Sequence, residues 1–190
     1  MRKPQYIDLA LPPKEPEAIA SWYDTLSGSY DYLYGQEQEK KHRMIIETLK
    51  NREFERFVDV GCGTGRLLET ISSKTQLALG VDISREMLIK AKQRVSDHSV
   101  QFVCAEASYL PLRDRVADGV VSVSVSEHGS TFAKQFRELS RIATAGAVLS
   151  MTVFCDRSRI FQKQLEGNAM ELVASLSDRE QLWARRPNVG

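Results

Sequence analysis

The sequence predicts an α/β fold in which a mostly parallel sheet carries helices on both faces. From residue 57 onward, short apolar segments alternate with amphipathic ones, which is the pattern of successive strand–helix units. The apolar segments contain few charged residues, as strands buried on both faces require. A length of 190 residues with 42% hydrophobic residues is suited to one domain around one core.

An N-terminal part precedes this alternation. Four prolines within residues 1–16 predict an arm rather than an element of the core. A helical spacing of apolar residues begins at Glu17 and is interrupted at Gly28, and a second helix is predicted from about Gln36 to Leu49. Residues 17–50 are therefore predicted to form two N-terminal helices.

The alternating part follows in a fixed order. Its strands are predicted over residues 57–60, 77–81, 100–104, 116–125 and 147–154, and its helices over 66–73, 85–95, 132–142 and 158–176. About eleven residues separate the third strand from the fourth, which is short for a crossover helix. We expect an irregular turn there, with room for one helical turn. The core is thus predicted over residues 51–176, and residues 177–190 form a C-terminal tail.

Charge and composition exclude several classes of protein. A net charge of +1 argues against a domain that grips a long nucleic acid by itself. No apolar run approaches the roughly 20 residues that span a bilayer, and no signal-peptide pattern opens the chain, so we expect a cytoplasmic protein. Cys62, Cys104 and Cys155 lack a Cys-x-x-Cys pair, so we expect neither a metal site nor a disulfide framework.

Three glycines lie between the first predicted strand of this part and the helix after it, in the segment Gly61-Cys62-Gly63-Thr64-Gly65. Such a loop lets a ligand approach the backbone, and the following helix N-terminus attracts a carboxylate or a phosphate. The alternative is a tight turn without a ligand. Arg66 occupies the position where the dinucleotide-binding fingerprint needs a small residue, and no Gly-Lys-Ser or Gly-Lys-Thr follows. The spacing therefore disfavours both a dinucleotide and a P-loop.

An acidic residue, Asp82, follows the next predicted strand. A carboxylate at that strand end can accept hydrogen bonds from both ribose hydroxyls of a nucleoside ligand. The alternative is a cap for the helix that starts at Arg85, but Ser84 is better placed for capping. Asp82 is therefore a candidate ligand-binding residue.

Four segments, taken in order, resemble the successive motifs of the class I S-adenosylmethionine-dependent methyltransferases, namely residues 58–65, 81–84, 105–112 and 117–122. The resemblance covers roughly residues 20–155. Within the family, the sequence is similar to methyltransferases of types 11 and 25. It implies a Rossmann-like fold, S-adenosylmethionine as cofactor and S-adenosylhomocysteine as product.

The resemblance also implies roles for the residues of the glycine loop. Asp59 and the backbone at Gly61 would face the amino group of the methionine moiety. The backbone N–H groups near Gly63 and Gly65 would face its carboxylate. Cys62 belongs to the same cofactor-binding loop.

Further residues would hold the nucleoside. Asp82 would bind the ribose, and Ile83 would pack on the adenine. Glu106, where the family usually has Asp, would accept a hydrogen bond from the adenine amino group, and the Ala107 N–H would donate to the ring. Ser122 and the residues after it would line the face on which the methyl group is transferred.

Two further segments are less specific. Tyr30-Asp31 is similar to an N-terminal Tyr-Asp segment that closes over the cofactor in many family members, which would make residues 17–50 a cofactor lid; the alternative is that the tyrosines only pack the helices. Glu127 and His128 follow the fourth strand of the predicted core and are candidate catalytic residues for proton removal. The alternative is a solvated loop.

The C-terminal part is expected to lack a feature of the family. About fourteen residues remain after Leu176, too few for the antiparallel hairpin that normally follows the fifth strand. That strand would then have an open edge, which proteins usually cover. We therefore expect a partner there, either a small activator protein or a second copy of the chain.

Three functions remain open at this point. Residues 120–128 are similar to transfer-RNA wobble-uridine and ribosomal-RNA methyltransferases that work with a small zinc-binding activator, which favours a methyltransferase of RNA or of a translation component. The absence of an Asn-Pro-Pro-Tyr type motif disfavours enzymes that methylate planar amino groups. The alternatives are a methyltransferase of a metabolite or quinone precursor, and an inactive cofactor-binding subunit that stabilises a partner.

Overall fold

The computed structural model describes residues 15–49, 52–125, 129–177 and 180–185. Within these residues the helices are α1 Pro16–Leu26, α2 Tyr30–Leu49, α3 Arg66–Ile71, α4 Arg85–Arg94, α5 Gly129–Ile142 and α6 Cys155–Gly167, with a short 3-10 turn at Ser72–Lys74. The strands are β1 Phe54–Val60, β2 Thr75–Asp82, β3 Val100–Cys104, β4 Ala117–Ser122, β5 Ala143–Phe154, β6 Glu171–Ser175 and β7 Glu180–Arg185.

All seven of these strands form one sheet in the order β3-β2-β1-β4-β5-β7-β6. Strands β1 to β5 run parallel to one another, and β7 runs antiparallel between β5 and β6. The strand order reverses between β1 and β4, so their carboxyl ends diverge into helices on opposite faces and leave a crevice. The predicted α/β architecture with a mostly parallel sheet is confirmed.

Neighbouring residues of the central strands pack on opposite faces of the sheet. Val120 contributes to a core with Phe132 and Phe136 of α5, whereas Val121 contributes to a core with Leu67 and Leu68 of α3. This alternation follows from the two-residue period of a strand. Both faces are apolar because helices cover both, which is why the strand segments read as nearly continuous hydrophobic runs.

The expected absence of a C-terminal hairpin is wrong. The helix predicted over 158–176 ends at Gly167, Ala169 adopts a left-handed φ of 57°, and β6 and β7 follow. The hairpin needs only two strands of five and six residues, and β6 occupies the C-terminal part of the predicted helix. Residues 180–185 are therefore an inner strand rather than part of a tail, and β7 pairs with β5 along the edge that we expected to be open.

The connection between β3 and β4 consists of turns without a helical turn. Helix α5 holds this connection in place, because the Glu138 carboxylate accepts a hydrogen bond from the Leu110 N–H at 2.8 Å. Arg141 donates to the carbonyl oxygens of Leu110 and Leu112 and to Glu138. This ion pair and these hydrogen bonds hold the pKa of Glu138 below its ordinary value.

The N-terminal helices also differ from their predicted bounds. The second begins at Tyr30 rather than at residue 36 and continues through Gly35 to Leu49.

Within the described residues, no helix is both long and apolar enough to cross a bilayer.

Candidate functional site

A cavity of about 430 Å³ lies at the carboxyl ends of β1, β2 and β4. Its walls come from the glycine loop, from the ends of β2 and β4, from the turn after β3, and from α1 and α5. The volume is within the range of sites for small molecules and cofactors. The switch in strand order places this cavity where open α/β sheets bind their ligands.

The glycine loop is built around close approaches to its neighbours. Gly61 has a φ of 77°, and a Cβ atom on it would lie 2.0 Å from Cγ2 of Val125. Gly63, with a φ of 52°, has open space instead, since the nearest atom to such a Cβ would be Cε1 of Tyr30 at 4.0 Å. The loop is thus tightly packed at Gly61 and open toward the cavity at Gly63.

Four N–H groups of this loop donate inside the protein. The Gly61 and Cys62 N–H groups donate to the carbonyl oxygen of Val81, and the Gly65 N–H donates to that of Cys62. The Gly63 N–H donates to Oδ2 of Asp82 at 2.8 Å. The loop thus curls onto β2 and closes these hydrogen bonds itself, so the Gly63 and Gly65 N–H groups are engaged within the protein; a carboxylate contact of the N–H groups near these two residues stays a prediction.

Asp82 ties the end of β2 to the glycine loop. Its Oδ1 accepts from the Ser84 N–H at 2.9 Å while Oδ2 accepts from Gly63, and each oxygen keeps a lone pair for a further donor. Burial raises the pKa of Asp82, and the backbone hydrogen bonds partly offset this. Ser84, rather than Asp82, caps α4 by accepting from the Met87 N–H. Asp82 lines the cavity and can receive ligand hydroxyls.

Asp59, in β1, is a buried carboxylate with an unused acceptor. It is 2% exposed, and its Oδ1 has no hydrogen-bond partner in the structure. Burial, followed by the nearby charge of Asp82, raises the pKa of Asp59 from its ordinary 3.8 to about 7. A buried acceptor without a donor is costly, so a ligand that brings a cationic donor would be stabilised here.

The turn after β3 forms another wall of the cavity. Glu106, Ala107 and Tyr109 line it, and Ile83 and Met87 face the same space from the end of β2 and from α4. An acidic side chain beside apolar ones is the kind of lining that accepts a flat heterocycle with an exocyclic amino group.

The N-terminal helices are fastened over the cavity by two carboxylates. Asp24 of α1 accepts from the Ser84 hydroxyl at 2.6 Å and from the Glu86 N–H at 3.1 Å, at the N-terminus of α4. Asp31 of α2 accepts from the Thr64 hydroxyl at 2.7 Å and pairs with Arg94. Between these anchors Tyr30 lines the cavity, and burial raises its pKa above the ordinary value.

The structure brings most of the predicted site residues to one place. Seven of them line the cavity: Tyr30, Gly61, Gly63, Asp82, Ile83, Glu106 and Ala107. Four do not: Asp59 and Ser122 are buried in strands, Cys62 is buried with its sulfur toward Gly80, and Gly65 faces Ala91 of α4. Glu127 and His128 lie outside the described residues.

Several lining residues were missed by the sequence. Ser124 and Val125, which line the cavity after β4, fall within the segment after Ser122 that was predicted to line the transfer face but were not named individually. Thr131, Lys134 and Gln135 line the cavity from α5, and their spacing on a helix gives no sign of a ligand. Among the residues that the structure describes, no group of three or more His, Cys, Asp or Glu side chains could hold a metal ion.

Comparisons with known proteins agree with this geometry. A family profile described as a methyltransferase domain matches residues 58–151. An uncharacterised protein of Methanocaldococcus jannaschii is 28% identical over 171 residues, which are 88% of this chain and 64% of that protein. A malonyl-[acyl-carrier protein] O-methyltransferase of a Marinomonas species is 33% identical over 67% of this chain and 48% of its own length. The chain thus spans 48% to 64% of the length of these relatives.

Solved structures show the same fold at low identity. A DhpI–SAH complex superposes with a TM-score of 0.73 at 15% identity, over 92% of this chain and 98% of that one. A methyltransferase that was solved with the Trm112 methyltransferase activator of Haloferax volcanii superposes with a TM-score of 0.62 at 13% identity, over 87% and 98% of the two chains.

Proposed function

Because residues 58–151 belong to the methyltransferase domain family, we propose that this chain binds S-adenosylmethionine in the cavity and transfers its methyl group to a small molecule. One observation carries the proposal. A glycine loop, a carboxylate with lone pairs to spare and a buried carboxylate with an unused acceptor meet at the carboxyl ends of β1 and β2. The ribose hydroxyls of a nucleoside and the amino group of an amino acid are hydrogen-bond donors, and these carboxylates can accept from them.

Three parts of the cofactor, the ribose, the adenine and the amino group of the methionine moiety, have a matching group in the chain. Asp82 would accept from the ribose hydroxyls, and Glu106 would accept from the adenine amino group. Ile83 and Met87 would pack on the adenine ring. Asp59 does not line the cavity, but it directly precedes Val60 and Gly61, which do; its unpartnered Oδ1 would accept from the methionine amino group once the loop shifts to admit the ligand. The bound sulfonium supplies the activated methyl group, and the chain's own work is to orient it and to exclude water.

The N-terminal helices support exclusion of water. Ile19 and Tyr23 of α1 and Tyr30 of α2 line the cavity. We propose that residues 17–50 act as a cofactor lid, which Asp24 and Asp31 fasten to α4 and to the glycine loop. Methyl transfer needs such a cover because it proceeds in line with little help from acid–base groups.

A small acceptor fits better than the RNA that residues 120–128 first suggested. The remaining space near β4 and α5 is lined by Val123, Ser124, Val125 and Gln135, with Lys134 as a cation at its border. A net charge of +1 gives no general attraction to a polynucleotide. Relatives that match 73% and 75% of this chain carry the names demethylmenaquinone methyltransferase and tocopherol O-methyltransferase, which act on small molecules by name.

The test is transfer of label from S-[methyl-³H]adenosylmethionine into extract of the source cells. After incubation, the extract is separated into small molecules, RNA and protein. We expect label in the small-molecule fraction. Label only in RNA would contradict the proposed acceptor class, and cofactor binding without transfer into any fraction would favour the inactive cofactor-binding subunit.

The affinity for the cofactor is expected to depend on pH through Asp59. Its pKa of about 7 means that only above this pH is the carboxylate largely ionised and able to attract the amino group. Between pH 5.5 and 7.5 the dissociation constant should fall as pH rises, by up to about tenfold per unit below pH 7. Calorimetric titration measures this, and Asp59→Asn should flatten the dependence.

Asp59 should also make the stability of the cofactor-free protein depend on pH. Here the expected change is unfavourable, since stability should fall as pH rises. Because the folded pKa lies above the ordinary 3.8, the folded chain holds a proton that the unfolded chain releases. The free energy of unfolding should therefore fall as pH rises from about 4 to about 7, relative to Asp59→Asn. An identical pH dependence in both proteins would contradict the unpaired, buried state of Asp59.

A partner chain stays a prediction. Its first reason, an open edge at β5, no longer holds because β7 occupies that edge. What supports an activator is the fold likeness to a methyltransferase solved in complex with one. Light scattering on the purified chain decides this point, since a monodisperse monomer of 21.5 kDa would contradict a homodimer.

A further inference from the structure

A buried ion pair is hydrogen-bonded to Ser124, a residue that lines the cavity. Lys41 of α2 is 6% exposed and Glu180, the first residue of β7, is 3% exposed. Lys41 Nζ lies 2.5 Å from Oε2 of Glu180 and 2.6 Å from Oε1 of Glu37. Its third N–H donates to Oγ of Ser124 at 2.8 Å, and Ser124 lines the cavity.

The hydrogen bonds of this group fix the direction of the Ser124 hydroxyl. The Lys41 ammonium only donates, and the Glu180 carboxylate only accepts. Ser124 therefore accepts from Lys41 and donates its single proton to Oε1 of Glu180, at 3.1 Å. One lone pair of Oγ is left, so toward a ligand Ser124 can accept a hydrogen bond but not donate one.

Ser124 is held at this place by its backbone. It has a φ of 56°, which a residue with a side chain seldom adopts, and its N–H donates to Oγ1 of the buried Thr152 at 2.7 Å. Backbone conformations of this kind persist where the surroundings impose them, often at functional sites. The next residue, Val125, packs against Gly61, so Ser124 lies beside the loop that binds the cofactor.

We infer that the methyl acceptor is an oxygen or nitrogen that carries a hydrogen, such as a hydroxyl, phenol or amine, and that Ser124 orients it by accepting that hydrogen. This rests on the proposed function. A carboxylate has no hydrogen to donate to Ser124. Its two oxygens are both acceptors, so their lone pairs would face the remaining lone pair of Ser124 and repel it. The site therefore disfavours formation of a methyl ester.

The transfer step follows from this orientation. The bond between the methyl carbon and the sulfonium sulfur breaks, and its electron pair stays on the sulfur, which becomes a neutral thioether. A lone pair of the acceptor oxygen or nitrogen forms the new bond to carbon. The acceptor's hydrogen points to Oγ of Ser124 during the attack and leaves afterwards to water as a proton.

The ion pair between Lys41 and Glu180 also affects the stability of the fold. The experiment must therefore distinguish a loss of stability from a loss of acceptor orientation by Ser124. Lys41 and Glu180 join α2 to β7, so removal of either leaves a buried charge and lowers stability. Ser124→Ala is the cleaner variant because it leaves both charges paired. Glu180→Gln is the second variant, since its amide can donate to Ser124 and so release the hydroxyl proton toward the ligand.

The experiment identifies the labelled product and then compares variants. Product formed from S-[methyl-³H]adenosylmethionine in source-cell extract is isolated, and the methyl position is assigned by mass spectrometry and NMR. Alkaline hydrolysis gives an independent check, because methyl esters release methanol and ethers or N-methyl groups do not. Rates and cofactor dissociation constants are then measured for Ser124→Ala, for Glu180→Gln and for the surface control Ser99→Ala.

We expect an ether or N-methyl product. Ser124→Ala should slow transfer about tenfold with the cofactor dissociation constant changed by less than about twofold, and Ser99→Ala should match the wild type. Glu180→Gln should slow transfer at least as much in whatever fraction folds. A methyl ester, a C-methyl product or a Ser124→Ala rate equal to the wild type would overturn the inference while leaving the proposed function intact. Absent cofactor binding or absent transfer would instead overturn the proposed function, and the inference with it.

Discussion

Gly61→Ala is expected to weaken S-adenosylmethionine binding by about a hundredfold or more. The new Cβ would lie 2.0 Å from Cγ2 of Val125, and the φ of 77° disfavours any residue with a side chain. Left-handed backbone costs about 1–2 kcal/mol for alanine, and overpacking of this kind adds about 1–3 kcal/mol. Relief requires that the loop or the end of β4 move, and both form the cavity. Calorimetry gives the affinity, and thermal unfolding gives the accompanying loss of stability.

Two further variants distinguish the loss of cofactor affinity in Gly61→Ala from a general loss of stability. Gly28→Ala is the matched control, because a Cβ on Gly28 meets no atom within 4 Å. It should leave affinity and unfolding temperature unchanged. The double variant Gly61→Ala, Val125→Ala removes the clash and keeps the backbone strain, so it should recover part of the affinity. Wild-type binding by Gly61→Ala alone would contradict the proposed position of the loop against the cofactor.

Asp82→Asn is expected to lower cofactor affinity by about a hundredfold to a thousandfold. The carboxylate already accepts from the N–H groups of Gly63 and Ser84, and it would also accept from the ribose. An amide has one oxygen in place of two, so its NH₂ group must face one of these N–H groups or the ribose. Hydrogen bonds to charged groups contribute about 1.5–3 kcal/mol each, which sets the size of the effect.

Asp97→Asn is the control for this substitution. The Asp97 carboxylate also accepts from a backbone N–H two residues on, that of Ser99, but on an exposed turn away from the cavity. Asp97→Asn should bind the cofactor like the wild type in the same calorimetric titration. If Asp82→Asn also kept wild-type affinity, the ribose would have to be held by another group.

The parts of the site that the sequence predicted are those that follow from local chain chemistry. A glycine loop after a strand and an acid at the next strand end can be read from a few adjacent residues, and parallel strands bring their carboxyl ends together. The carboxyl ends of β1 and β2 are hydrogen-bonded neighbours, with Val60 opposite Val81. Asp82 and the loop therefore meet whatever the rest of the chain does.

What the sequence did not predict depends on long-range packing. Ser124 is 83 residues from Lys41 and 56 from Glu180, and nothing in their local patterns links them. The hairpin was missed because β6 has little burial of its own and β7 is stabilised by pairing with β5. The use of the Gly63 and Gly65 N–H groups inside the protein could not be foreseen either, since a glycine spacing does not fix which way its amides point.

The most direct test of the central claim is calorimetric titration of S-adenosylmethionine into the purified wild-type chain. The arrangement of Asp59, Asp82 and the glycine loop predicts saturable binding with one molecule per chain, competition by S-adenosylhomocysteine, and a rise in unfolding temperature at excess ligand. No heat of binding and no thermal stabilisation at about 1 mM ligand, in a chain that unfolds cooperatively, would contradict it.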